Sequence, residues 1–229
     1  MNDIRRTTAR RPQGGPPLLA LALPYAALTL VGLALGIGLG RPDDSPGEMA
    51  RLLLENRSNA TVLATAVTGA SVPLVIWSAT AYRRLRRLGV TAPGSAIAFA
   101  GGILASASLG LSGLVSWTAA TTAPVVTPEI LRALSTLAFA AGGPGFTPFF
   151  ALLMAGVAVP GLILGVLPRA WAWSGLVIAA LGMLGVLSLL TPVLYPLLPV
   201  GRFGGLIWLV AASVLLPVDR PRRAVPQVG

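Results

Sequence analysis

Residues 95–118 read SAIAFAGGILASASLGLSGLVSWT, with no charged or amide side chain among them. A helix needs about 20 apolar residues to cross the roughly 30 Å hydrocarbon core of a bilayer, and this stretch meets that length. Shortly before it stands RRLRR, residues 83–87. Arginines gathered beside an apolar run mark the cytoplasmic end of a membrane span.

Five further runs of the same kind lie on either side, at residues 18–39, 61–82, 146–167, 171–190 and 200–216. The last is the shortest and follows a Pro-rich stretch, so its start is poorly marked. Only 10% of the chain is charged, against roughly 25% in soluble domains, too little to cover a water-facing surface. Mean hydropathy is +0.80, in keeping with a membrane chain. The expectation is an all-α, polytopic transmembrane helical bundle of six spans occupying residues 18–218. Residues 1–17 and 219–229 form cytoplasmic tails, the first of them disordered. The Arg5-Arg6 pair precedes a run too long for the roughly 7–15-residue core of a signal peptide, and no Ala-x-Ala site closes it, so the first span is read as uncleaved.

The formal charge of +10 is carried by seventeen Arg, with no Lys. All-Arg usage hints at a GC-rich genome. A charge of that size suits nucleic acid, but its placement points to orientation instead. With the N-terminus inside, the cytoplasmic segments hold Arg5, Arg6, Arg10, Arg11, Arg83, Arg84, Arg86, Arg87, Arg169, Arg220, Arg222 and Arg223 against Asp3 and Asp219. The outer segments hold Arg41, Arg51, Arg57, Arg132 and Arg202 against Asp43, Asp44, Glu48, Glu55 and Glu129, which cancel. The whole net charge falls on one side, as the positive-inside bias requires of an N-in/C-in chain. Trp77, Trp117, Trp171 and Trp173 fall near span ends, where the headgroup zone suits an indole. Trp208 falls mid-span and is expected between helices.

Two short interfacial helices are expected on the outer side. Ser45-Pro46-Gly47-Glu48 has the form of a capping box with Pro at the first helical position, and Met49, Leu52 and Leu53 line one face. The segment 127–141 starts with Thr127 as cap, Pro128 and Glu129, and carries a stripe of Ile130, Leu131, Leu134, Leu137 and Ala138. Gly142-Gly143-Pro144-Gly145 then breaks the chain, with Pro148 just beyond. Two readings stay open for this segment: a surface or half-inserted helix, or a discontinuous helix whose broken backbone lines a cavity.

The residues that are missing restrict function. The chain has no Cys and no His, so thiol chemistry, disulfides and His-ligated metal or haem are excluded. With Arg202 counted on the outer side, the spans hold no ionisable or amide side chain, the usual mark of ion paths and intramembrane catalysis. No catalytic, cofactor-binding or metal residue is assigned. Any catalysis would use the outer carboxylates, Asp43, Asp44, Glu48, Glu55 or Glu129, each of which has a structural explanation. Ser106, Ser108, Ser112 and Ser116 are expected to bond back to their own helix.

Gly102, Ser106 and Gly110, with Gly113 near the same face, form a small-xxx-small pattern that lets helices approach closely. Packing within the chain is the favoured reading and an oligomer contact the alternative. Gly175, Ala179 and Gly182 repeat the pattern more loosely. Arg83, Arg84, Arg86 and Arg87 are candidate contacts for anionic lipid headgroups, worth about 1 kcal/mol each near the surface.

Residues 167–176, LPRAWAWSGL, and 204–210, GGLIWLV, resemble the uncharacterised six-span integral membrane proteins of actinobacteria known as the domain-of-unknown-function 4386 group. The resemblance extends loosely to the acidic loop after the first span and to RRLRR. It implies a six-span layout in a bacterial plasma membrane, and carries no catalytic residues. The functional expectation is a non-enzymatic membrane protein that binds a partner protein, a second copy of itself, a lipid or a lipophilic ligand. A small transporter or permease subunit for an apolar substrate is the alternative, and a lipid-acting enzyme at the outer interface a third. The partner expected throughout is the bilayer; nucleic acid is not, and no cofactor is implied.

Overall fold

Residues 15–39 and 44–218 are described by the structure, a computed structural model. The tail arginines, Arg41 and Asp43 lie outside them. The helices are α1 (Leu18–Gly36), α2 (Pro46–Glu55), α3 (Arg57–Arg87), α4 (Gly94–Thr122), α5 (Pro128–Gly142), α6 (Thr147–Ile163) and α7 (Arg169–Leu184). Tight turns at Gly185–Leu189, Pro192–Leu194 and Leu197–Pro199 and a π-helical stretch at Val200–Gly204 lead into α8 (Gly205–Leu215). No strand occurs among the described residues.

Six segments are long and apolar enough to cross a membrane: Leu18–Gly36, Arg57–Arg87, Gly94–Thr122, Pro128–Ile163, Arg169–Leu189 and Pro192–Leu215. The chain is a multi-pass helical protein of six spans. Its glycines and the internal Pro24, Pro73 and Pro160 do not prevent helix. A bilayer has no water to satisfy a free N–H or C=O, so the segment must satisfy its own.

The long helices pack in chain order, α1 on α3, α3 on α4, α4 on α6 and α6 on α7, and α8 returns to α1 and closes the bundle. Tyr25, Leu74, Trp77, Leu109, Phe150 and Trp208 are among the large side chains at its centre. Many leucines, isoleucines and valines face outward, as expected where lipid is the solvent.

The small residues of α4 are spent inside the chain. A Cβ on Gly102 would collide with the Ser78 side chain, and one on Gly113 would lie 2.7 Å from Thr68 N and 2.8 Å from Ala64 O, all on α3. On the opposite face, a Cβ on Gly101 would come within 2.7 Å of Leu153 N and Phe149 O of α6. Ser106 is buried between these contacts. Gly110 is looser, 3.5 Å from the Ser71 hydroxyl. Gly175 of α7 gives room to the Trp208 ring, whose N–H donates to Trp171 O at 2.9 Å.

Trp77 corrects the expectation of a headgroup residue. It is 1% exposed and donates to Ser213 Oγ at 2.8 Å. α3 reaches ten residues beyond it, so the indole sits within the bundle and not at its rim. Trp117 and Trp173 are exposed as expected.

α2 packs at one end of the bundle, against α5 and the start of α3. Ser45 Oγ accepts from Glu48 N at 3.3 Å, and Arg51 ties Glu48 to Glu55 along the helix. Its inner face, Ala50 and Leu53, joins Ala60, Ala119, Ala120, Ala123 and Leu131 in a second, smaller core. Arg57, at the start of α3, donates to Ala120 O at 3.0 Å and Thr121 O at 3.2 Å and so closes the carbonyl end of α4, where a cation is favoured.

At the other end of the bundle, Arg84 donates to Leu216 O at 3.1 Å. It is held by the end of α8, while Arg83, Arg86 and Arg87 are exposed. Arg86 also bonds Val90 O at 3.1 Å.

Candidate functional site: a cavity beside the broken fourth span

α5 runs back along α4 with its first turns against α2. It does not lie flat across the end of the bundle. Leu131 packs near Ala119 and Ala120, and farther along, Ser112 Oγ donates to Ala138 O at 2.7 Å. α6 then continues down the same side of α4. The two helices are halves of one span, which corrects the expectation of a second interfacial helix and is the other geometry left open by the sequence.

The break is made by Gly142–Gly145. Pro144 has no N–H, and its ring clashes with a continued helix. The chain turns instead through Gly143, whose N–H bonds Phe139 O at 2.7 Å, while Gly145 N–H bonds Ala140 O at 2.7 Å. Phe146 and Thr147 both donate to Gly143 O at 3.0 Å, starting the new helix. Pro148 falls in the first turn of α6, where its missing N–H costs nothing. Gly142 also leaves room for the Ser112 side chain, which a Cβ there would strike. Ser112 lies ten residues from the Thr122 end of α4, about 15 Å along the axis at 1.5 Å per residue. The break is therefore well inside the bundle.

Arg202 meets this break. Its Nη1 donates to Gly142 O at 3.1 Å, and its guanidinium carbon stands 5.4 Å from the centre of the Phe146 ring. This corrects its placement among the outer loop charges. It belongs to the Pro192–Leu215 span, where the π-helical stretch turns it toward α5. The end of α5 carries the negative pole of the helix dipole, which the cation complements. No carboxylate among the described residues forms an ion pair with it.

A cavity of about 460 Å³ opens beside these groups. Its floor holds Arg202, Thr147 and Thr29, and its walls include Leu33, Leu63, Val67, Ala119 and Phe139. Ile37 and Leu53 lie toward the α2 end. α1 and α5 face each other across it with at most marginal contact. Thr147 is 1% exposed and Thr29 3%; the Thr147 hydroxyl has no hydrogen-bond partner among the described residues, while that of Thr29 is placed to bond the Tyr25 hydroxyl. Ser112 and Ser116 also line it, but both hydroxyls are engaged, Ser112 with Ala138 O and Ser116 with Ser112 O at 2.8 Å. Tyr25, whose ring is 6.1 Å from Phe150 and whose hydroxyl meets that of Thr29, lies behind the floor.

The broken segment named from the sequence thus meets the cavity through Gly142 and Gly143. The Gly102–Gly113 stripe serves the α3 contact instead, and RRLRR lies at the opposite end. Arg202, Thr147 and Thr29 were not singled out by sequence. Arg202 carried one usable sign, as the one charge inside the apolar run at 200–216. Among the described residues no group of His, Cys, Asp or Glu is arranged to hold a metal.

Comparison of the chain with family models, with curated proteins and with solved structures finds no match.

Proposed function

We propose that this is a non-enzymatic membrane protein that binds a lipophilic small molecule in the cavity between α1, α3, α4 and α5. The cavity carries the reading. Its volume is within the roughly 300–1,000 Å³ of small-molecule sites, and such sites pair mostly apolar walls with a few placed polar groups. The walls here are mostly Leu, Val, Ala and Phe, interrupted by Ser112, Ser116 and Ser135, and Arg202, Thr147 and Thr29 also line the space. The charge asymmetry supports both termini inside, which turns the α2 end of the cavity outward, and the resemblance in residues 167–176 and 204–210 supports a bacterial plasma membrane. The actinobacterial six-span proteins that residues 167–176 and 204–210 resemble are proposed as its family. The small-residue stripe is consumed within the chain, so it adds no support for a self-association contact.

Mild-detergent purification followed by native mass spectrometry tests the reading. A low-mass adduct is expected on the wild type and is expected to be lost from Leu63→Trp, which fills the cavity. Equal adducts on both proteins, or none on either, would sink it.

The divided fourth span favours a second reading, a small transporter or permease subunit for an apolar substrate, since transporters build their sites at broken helices. Uptake of the bound compound into proteoliposomes separates the two: binding without uptake supports the first.

A further inference from the structure

We infer that the cavity selects a lipophilic carboxylate, held by Arg202 and Thr147 at its floor; this rests on the cavity being a ligand site. The argument starts from an imbalance. A guanidinium carries five N–H donors, and Arg202 uses one of them on Gly142 O. Capping α5 explains that bond and leaves the other donors unexplained. A charged group within a membrane span is expensive and is ordinarily paired, and here no carboxylate of the described residues pairs with it.

The second observation is independent of the charge. Thr147 and Thr29 line the same cavity with Arg202. Both are more than nine-tenths buried; the Thr147 hydroxyl lacks a partner among the described residues, while that of Thr29 is placed to bond the Tyr25 hydroxyl. Most buried polar groups are satisfied, so an orphan hydroxyl sharing a cavity with an unneutralised cation describes a place for an acceptor. An anion supplies what both lack. One cation balances one negative charge, and the planar fork of the guanidinium matches a carboxylate through two parallel bonds. The apolar walls toward Ile37 and Leu53 then take the hydrocarbon part.

The test uses the full chain in phosphatidylcholine nanodiscs at pH 8, with binding measured above that of empty discs. The probes are dodecanoate and its neutral counterpart dodecanol. Wild type is expected to bind dodecanoate roughly tenfold or more tighter than dodecanol, the range of a hydrogen bond to a charged group. Arg202→Gln is expected to abolish that preference while leaving dodecanol binding in place. Thr147→Val removes only a hydroxyl without a partner, and is expected to reduce the preference severalfold. It keeps the question decidable if Arg202→Gln does not fold. Equal binding of the two probes by wild type overturns the carboxylate assignment and leaves the cavity reading standing. Binding of neither overturns both. If phosphatidylglycerol added to the discs displaces dodecanoate, the anion recognised is a lipid headgroup and the carboxylate assignment fails.

Discussion

The indole N–H of Trp77 donates to the hydroxyl of Ser213 at 2.8 Å, joining α3 to α8 across 136 residues of sequence. Both partners are buried, and the hydroxyl passes the interaction on to Leu209 O at 2.7 Å. Side-chain bonds between membrane helices are worth about 0.6 kcal/mol on average and up to ~1.7. Ser213→Ala leaves the indole unsatisfied and should lower stability by about 1 kcal/mol in a detergent unfolding titration. No loss in that titration would mean that the bond does not hold the two spans together.

The three glycines of α4 that face α3 should differ. Alanine at Gly102 or Gly113 would force Ser78 or the α3 backbone to move, and overpacking of this kind costs roughly 1–3 kcal/mol. Gly110→Ala meets only ordinary contact at 3.5 Å and should be neutral or slightly stabilising. Thermal unfolding of the three variants checks the order. Equal effects would mean that the helices are free to separate.

Arg51 bonds the Glu48 carboxylate and holds it below the usual carboxylate range, and in return is itself pushed up. A carboxyl depressed on folding stabilises the folded state above its unfolded pKa, and that contribution is lost as pH falls through the depressed value. Amide protection in α2 should therefore be higher near pH 6 than near pH 3, after correction for intrinsic exchange. Glu48→Gln should remove the difference. The side chains stand about half exposed, at 44% for Glu48 and 54% for Arg51, so the effect should be small and reduced by salt.

The proposed orientation is open to direct measurement. A reporter fused after Arg87 should read cytoplasmic, and one inserted beside Asp44 should read external. The opposite pattern would place the α2 end of the cavity inside the cell.

Residues 95–118 show how far local reading reaches. The number of spans follows from the length of each apolar run against a fixed bilayer thickness, and both quantities are visible in the chain itself. The cap at Ser45 and the break at 142–145 were equally legible, because capping and helix breaking act over a few residues. Trp77 was not. Its nearness to the end of an apolar run suggested a headgroup position, but α3 extends to Arg87, and its partner is on the last helix.

Arg202 marks the boundary between the two kinds of information. Its charge and its place in an apolar run are written in the sequence. Whether that charge faces water, lipid or a cavity depends on a π-helical turn and on a carbonyl sixty residues earlier. Hydrophobic length is a local property, so the chain alone specifies the six crossings. Contact between the halves of a bundle is not local, so only the packed helices bring Gly142, Thr147, Thr29 and Arg202 around one space.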